Sequence, residues 1–197
     1  MHQLAQKLQK YHVILGSASP RRKELLQGLD IPFDVILKNT QEIIDATLPF
    51  EQIPLDIAQQ KFKAFLPDLS AQDFLITADT LVFCEGKSVG KPKNEAEAKE
   101  MISFLSGKTH SVVTGMCFGT RQKQEAFYQL SQVTFATMNE ADIDYYIAKY
   151  KPLDKAGAYG VQEWIGYMGI ESICGSYYNV MGLPVHSLYY RILDYEE

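Results

Sequence analysis

Apolar residues in this chain alternate between strand-like runs and helical spacing, and the switches predict an α/β order. Residues 12–16 (HVILG) are a continuous apolar run closed by glycine, which suits a buried strand. Ser19-Pro20 then supplies an N-cap and a first helical residue, with Leu25, Leu26 and Leu29 as the buried stripe of a helix. Residues 51–66 return to helical spacing through Ile57, Ala58, Phe62, Phe65 and Leu66, until Pro67 stops them. Phe74 to Phe83 (FLITADTLVF) is a long strand-like run interrupted by Asp79. Asn94 with Glu97 three residues later predicts a capping box ahead of Ala98, Met101, Ile102 and Leu105 at helical spacing. Residues 110–118 and 124–137, rich in Val, Thr and Phe, flank a polar Gly119–Gln124 segment and predict a β-hairpin. Asn139 caps a helix carrying Ile143, Tyr146, Ile147 and Tyr150, and a short helix follows Pro184. Early strand–helix alternation with a later hairpin predicts a mixed sheet with helices packed on it. No repeat and no Gly/Ser- or Pro-rich linker divides residues 1–197, so the chain reads as a single domain.

Composition narrows the function. With 46% hydrophobic and 22% charged residues the chain is an ordinary folding sequence. Its formal net charge of -5 offers no global basic field for nucleic acid or anionic membrane, so a polyanionic ligand needs a local cluster of cations. The apolar stretches are short and the first ten residues lack a signal-peptide core, so a cytoplasmic protein that neither crosses membranes nor binds nucleic acid is expected. Cys84, Cys117 and Cys174 are widely spaced and read as reduced, mostly buried thiols.

Several residues interrupt these patterns. Gly16-Ser17-Ala18-Ser19-Pro20-Arg21-Arg22 joins a strand to a helix N-terminus, where free N–H groups favour an anion. Two arginines there oppose the helix dipole unless an anion is present, and the alternative is a helix start with two solvated arginines. Lys61 falls on the apolar face between Ile57 and Phe65, where an ammonium must snorkel or meet an anion. Asp79 marks either a turn between two short strands or a functional carboxylate; its strongly β-forming flanks favour the second. Gly90-Lys91-Pro92 reads as a surface turn or a cleft lysine, and Gly157-Ala158-Tyr159-Gly160-Val161-Gln162 as tight turns or a backbone that admits a ligand. The four histidines are scattered, which disfavours a histidine-ligated zinc or a serine triad.

Taken in order, Ser17–Arg22, Glu42, Ala58-Gln59-Gln60-Lys61, Ala78-Asp79-Thr80, Gly90-Lys91-Pro92, Leu105–His110, Asp154–Gln162 and Tyr178–Pro184 resemble the Maf family of nucleoside triphosphate pyrophosphatases, also called septum formation inhibitor Maf proteins. The resemblance implies an α/β fold with a mixed central sheet flanked by helices, in two lobes with a nucleotide cleft between them. It implies hydrolysis of a nucleoside triphosphate to monophosphate and pyrophosphate with a divalent cation, Mg²⁺ or Mn²⁺. Carried over by position, Asp79, Lys61 and Lys91 are expected to be catalytic, and Ser17, Arg21, Arg22 and Lys155 to bind phosphate. Glu42 and Asp79 are expected to hold the metal. Arg21, Thr80 and Gln162 match the dTTP/UTP subgroup at its specificity positions, where a glutamine amide can both accept from N3–H and donate to O4 of a pyrimidine. Three positions depart from the pattern: Gln41 where an acidic residue is usual, Phe62 for alanine, and Glu163 for glycine. The 7-methyl-GTP subgroup and a non-enzymatic nucleotide-sensing or septation-regulating protein are the alternatives. The oligomeric state, a homodimer included, is left open.

Overall fold

The computed structural model describes residues 1–196. In chain order its elements are α1 (Gln3–Leu8), β1 (His12–Leu15), α2 (Pro20–Gln27), β2 (Asp34–Val35), α3 (Ile53–Phe65), β3 (Asp73–Cys84), β4 (Lys87–Val89), α4 (Glu95–Leu105), β5 (Thr109–Gly119) and β6 (Gln124–Phe135). They continue as α5 (Glu140–Tyr150), a 3₁₀ turn (Ala156–Ala158), α6 (Trp164–Gly169), β7 (Ile170–Cys174), α7 (Tyr177–Met181) and α8 (Val185–Asp194). The strands form one mixed sheet in the order β2-β1-β3-β5-β6-β7, with β4 paired to β3. β1 runs parallel to both β2 and β3, whereas β4 on β3 and β7 on β6 are antiparallel. The expected mixed sheet with flanking helices is the observed one.

The chain divides into two compact units: residues 1–79, 114–129 and 182–197, and residues 80–113 and 130–181. All four boundaries fall in continuous chain, three of them inside strands β3, β5 and β6. That is why no linker composition marks them.

In the first unit, the core joins Ile14, Leu75 and Cys117 from the sheet to Ala58, Phe62 and Phe65 of α3. Phe74 to Ala78 of β3 are all buried, so the strand is covered on both faces and reads as a continuous apolar run. Gly115 sits where a Cβ would meet Leu55 N at 2.2 Å, so only glycine lets β5 pass this close to the start of α3. Burial pushes the Cys117 thiol up to about 12, which makes it an inert apolar filler. Behind this sheet the Tyr195 ring meets Phe74 edge-on with centroids 5.4 Å apart, and its hydroxyl donates to the Lys123 carbonyl at the β5–β6 turn, 2.8 Å.

In the second unit, Ala98, Ile102 and Leu105 of α4 and Ile143, Tyr146 and Ile147 of α5 are buried. His110 is also buried: it shares a 2.8 Å hydrogen bond between Nε2 and the Tyr159 hydroxyl, and burial pushes its pKa down to about 4.

Local details follow the sequence closely. Ser19 Oγ accepts from Arg22 N, Asn94 Oδ1 from Glu97 N, and Asn139 Oδ1 from Asp142 N, so all three expected N-caps form. The return bond of the Asn94 box lands one residue early, from Lys93 N to Glu97 Oε2. β3 passes through Asp79 without a turn. Leu29 lies beyond the end of α2, and the helix after Pro184 has 10 residues rather than being short. α1, β2, β4, α6, β7 and α7 have no forecast in the sequence. Each has 6 residues or fewer and stands on tertiary partners. In α1, Leu4 and Leu8 are buried, and Lys7 Nζ donates to the Leu193 carbonyl of α8, 3.0 Å.

His12 stitches three strands at the sheet's β2 side: its Nε2 lies 2.7 Å from Asp34 of β2 and its Nδ1 2.9 Å from Asp73 of β3. The hydrogen bonds to Asp34 and then Asp73 raise its pKa above the ordinary 6.5. Stability from a raised histidine is fully present below pH 6.5 and is lost as pH rises through the folded-state value. The stability advantage of the wild type over His12→Gln, read from urea midpoints, should therefore be largest near pH 6 and shrink by pH 9. With the His12 side chain 47% and that of Asp34 71% exposed, it should stay within about 1 kcal/mol.

Candidate active site

The residues singled out by sequence fall into two groups, one in each unit. In the first, Lys61 projects from α3 and does not snorkel: Nζ lies 2.7 Å from Asp79 Oδ1 and 3.0 Å from Glu42 Oε1, with its side chain only 16% exposed. Asp79 stands where β3 surfaces, since Asp79, Thr80 and Leu81 are its half-buried residues between two buried stretches. A carboxylate there is tolerable because an ammonium meets it.

Glu42 belongs to an irregular segment, and the side chain that holds this segment was not anticipated from sequence. Gln60, one residue before Lys61, accepts from Ile43 N at 2.9 Å and donates to Ile43 O at 2.8 Å, gripping the peptide next to Glu42 as a strand neighbour would. Its Nε2 also reaches Asp56 of the same helix, 2.5 Å. The advance signals were its place in the Ala58-Gln59-Gln60-Lys61 motif and an amide adjacent to the out-of-place lysine.

Arg22 is not a solvated helix-start arginine. It is buried, with Nε donating to the Gly182 carbonyl (2.9 Å) and Nη1 to the Ala78 carbonyl (2.9 Å) and Ser17 Oγ (3.2 Å). Burial lowers its pKa, while the charges of Asp79 and Glu42 oppose that shift. It therefore ties the loop before α2 to the residue preceding Asp79. Ser17 Oγ also accepts from Ser19 N, 3.3 Å. Arg21, half-buried in the same first turn, adds a further cation, so three cations face two carboxylates in this group.

In the second group, Thr80 is half-buried and Lys91 is exposed, in a turn pinned by the hydrogen bond from Gly157 N to the Gly90 carbonyl, 3.0 Å. Gly157 itself takes φ +72°, a conformation that glycine adopts without strain. Lys155, expected at phosphate, is buried with Nζ 2.8 Å from Asp154 Oδ1 and 3.2 Å from Glu163 Oε1. Gln162 Oε1 is buried and has no hydrogen-bond partner, an acceptor left to be satisfied.

The pair Glu42 and Asp79 suits a hard divalent cation, which is commonly held by one or two carboxylates together with substrate phosphates. Lys61 Nζ meets one oxygen of each, Asp79 Oδ1 and Glu42 Oε1. Among the described residues no group of three or more His, Cys, Asp or Glu side chains could hold a metal, so a cation here would need oxygens from a ligand or water.

Residues 12–194 match the family model described as Maf-like protein. The chain belongs to the Maf family. A Maf relative from Phocaeicola vulgatus, called dTTP/UTP pyrophosphatase, is 50% identical over 187 residues, covering 94% of this chain and 97% of that protein. Proteins of the same name from Porphyromonas gingivalis and Christiangramia forsetii are 50% and 44% identical, with 96% and 94% of this chain covered and 97% and 95% of theirs. Among solved structures, the Staphylococcus aureus Ham1 protein aligns over 64% of this chain and 72% of its own with 12% identity and a TM-score of 0.48, too loose a likeness to bear on function. No helix among the described residues of this Maf chain is long and apolar enough to cross a membrane.

Arg22 supplies the prediction of this site. Arg22→Met leaves two buried carbonyls without a donor, so the melting temperature should fall by at least about 5 °C, with Arg22→Lys intermediate because an ammonium lacks the fork that reaches both. Differential scanning fluorimetry measures it, and an unchanged melting temperature would refute the strut.

Proposed function

We propose that this Maf protein hydrolyses dTTP and UTP, together with modified pyrimidine nucleotides, to the monophosphate and pyrophosphate. The observation that carries the reading is the Glu42–Lys61–Asp79 array: a strand carboxylate and a second carboxylate held by one ammonium, at positions that match the family's motifs. The relatives' shared name supplies the substrate class.

In this reading a water oxygen attacks the α-phosphorus, the bond from that phosphorus to the bridging oxygen breaks, and pyrophosphate departs. Asp79 takes the proton of the attacking water. Lys61 keeps Asp79 aimed through its 2.7 Å contact and, with Lys91, compensates charge on the phosphate chain. Ser17 and Arg21 bind phosphate from the loop before α2, and Arg22 acts from behind them by holding Ser17 and Ala78. Lys155 is left out of the phosphate set because Asp154 and Glu163 already neutralise it. Glu42 and Asp79 would hold Mg²⁺ or Mn²⁺, which when bound supplies Lewis-acid stabilisation of the phosphoryl oxygens. Arg21, Thr80 and Gln162 set base preference, Gln162 by offering its unsatisfied Oε1 to the N3–H that thymine and uracil share.

Product analysis tests the reaction. UTP should give UMP and pyrophosphate, and EDTA should abolish turnover; UDP with inorganic phosphate would place attack at the γ-phosphorus and overturn the mechanism. Asp79→Asn preserves shape while removing the proton acceptor, so kcat should fall by at least about a hundredfold with KM little changed. A near-normal kcat would make Asp79 structural.

A further inference from the structure

Glu163 departs from the glycine usual in the family, and the structure shows its carboxylate fully engaged. Oε1 faces Lys155 Nζ at 3.2 Å, and Oε2 accepts from the Tyr146 hydroxyl. The Tyr146 oxygen in turn accepts from Gly160 N, 3.0 Å. Glu163 N donates to the Gly160 carbonyl, 3.0 Å. The two ends of the Gly160–Glu163 turn are thus tied twice, once directly through backbone and once through Glu163, Tyr146 and the Gly160 amide. Tyr146 is among the largest fully buried side chains and Lys155 is buried as well, so the anchors are rigid. The carboxyl group also fills the space over Gly160, where a Cβ would lie 2.7 Å from Glu163 Cδ. Gln162 lies inside this doubly tied turn, and no hydrogen bond fixes its Oε1. The aim of the amide therefore depends on the backbone that carries it.

We propose that Glu163 is a positioning residue for substrate selection: clamped between Lys155 and Tyr146, it sets the Gly160–Glu163 turn so that the Gln162 amide is held ready for a pyrimidine edge. The inference rests on Gln162 reading the base. Its energetic basis is preorganisation, because a fixed turn need not be ordered when the substrate binds. Glu163's partners Lys155, Tyr146 and Gly160 all lie in its own unit around Gln162, so its effect is expected on binding rather than on the chemical step.

The test is a double-mutant cycle in the full-length protein. kcat and KM are measured for UTP and CTP in wild type, Glu163→Gly, Glu163→Gln, Gln162→Ala and Glu163→Gly/Gln162→Ala, with melting temperatures alongside. Glu163→Gly should raise KM for UTP about fivefold or more with kcat within about twofold, and should narrow the UTP-over-CTP ratio of kcat/KM. Glu163→Gln, which keeps an acceptor for Tyr146, should fall between wild type and Glu163→Gly. Once Gln162 is alanine, removing Glu163 should change the ratio no further. Gly160→Ala, whose methyl displaces the Glu163 carboxyl, should reproduce Glu163→Gly. A lowered melting temperature with KM and the ratio unmoved, or equal effects of Glu163→Gly with and without Gln162, would overturn the inference while leaving base reading by Gln162 in place. A wild-type ratio that survives Gln162→Ala would instead overturn base reading, and the positioning role with it.

Discussion

A carboxylate carried by a strand that is buried on both sides of it must be compensated, and much of the first unit is arranged around that requirement. Asp79 occupies the short half-buried window of β3, and its partner has to come from outside the sheet. α3 supplies Lys61, and α3 lies close enough because Gly115 of β5 presents no Cβ to the start of the helix. Gln60, the adjacent helical residue, then grips the peptide after Glu42 and brings a second carboxylate to the same ammonium. Arg22 braces the residue before Asp79 through the Ala78 carbonyl. The same pieces that make a buried charge tolerable also aim it, so stability and chemistry share one set of contacts.

The second unit repeats the logic with different parts. Lys155 is buried, and its charge meets Asp154 and Glu163. Burial, and then the Glu163 carboxylate, push the Tyr146 pKa far above its ordinary value, so the phenol keeps its proton and can donate to Glu163 while accepting from Gly160. A closed network of this kind holds its members in one arrangement, because any displaced member would leave a buried polar group unsatisfied. Gln162 Oε1, inside the same turn, is by contrast buried with no hydrogen-bond partner.

Sequence by itself determined the long elements and the family. Apolar periodicity placed α3, α4, α5, the hairpin and β3, and the Ser19, Asn94 and Asn139 caps placed helix starts, because these signals are local and involve residues within four positions of each other. The misplacements of Lys61 and Asp79 in apolar patterns were visible for the same reason. Only tertiary structure decided which charge met which. It turned Arg22 inward onto carbonyls 56 and 160 residues away, paired Lys155 with Glu163, and made Gln60 the support of Glu42. The short elements α1, β2, β4, α6, β7 and α7 were likewise undecided by sequence, since a helix or strand of so few residues is stabilised by what packs on it. Hydrogen-bond partners far apart in the chain leave no periodic trace, whereas helix and strand periods do.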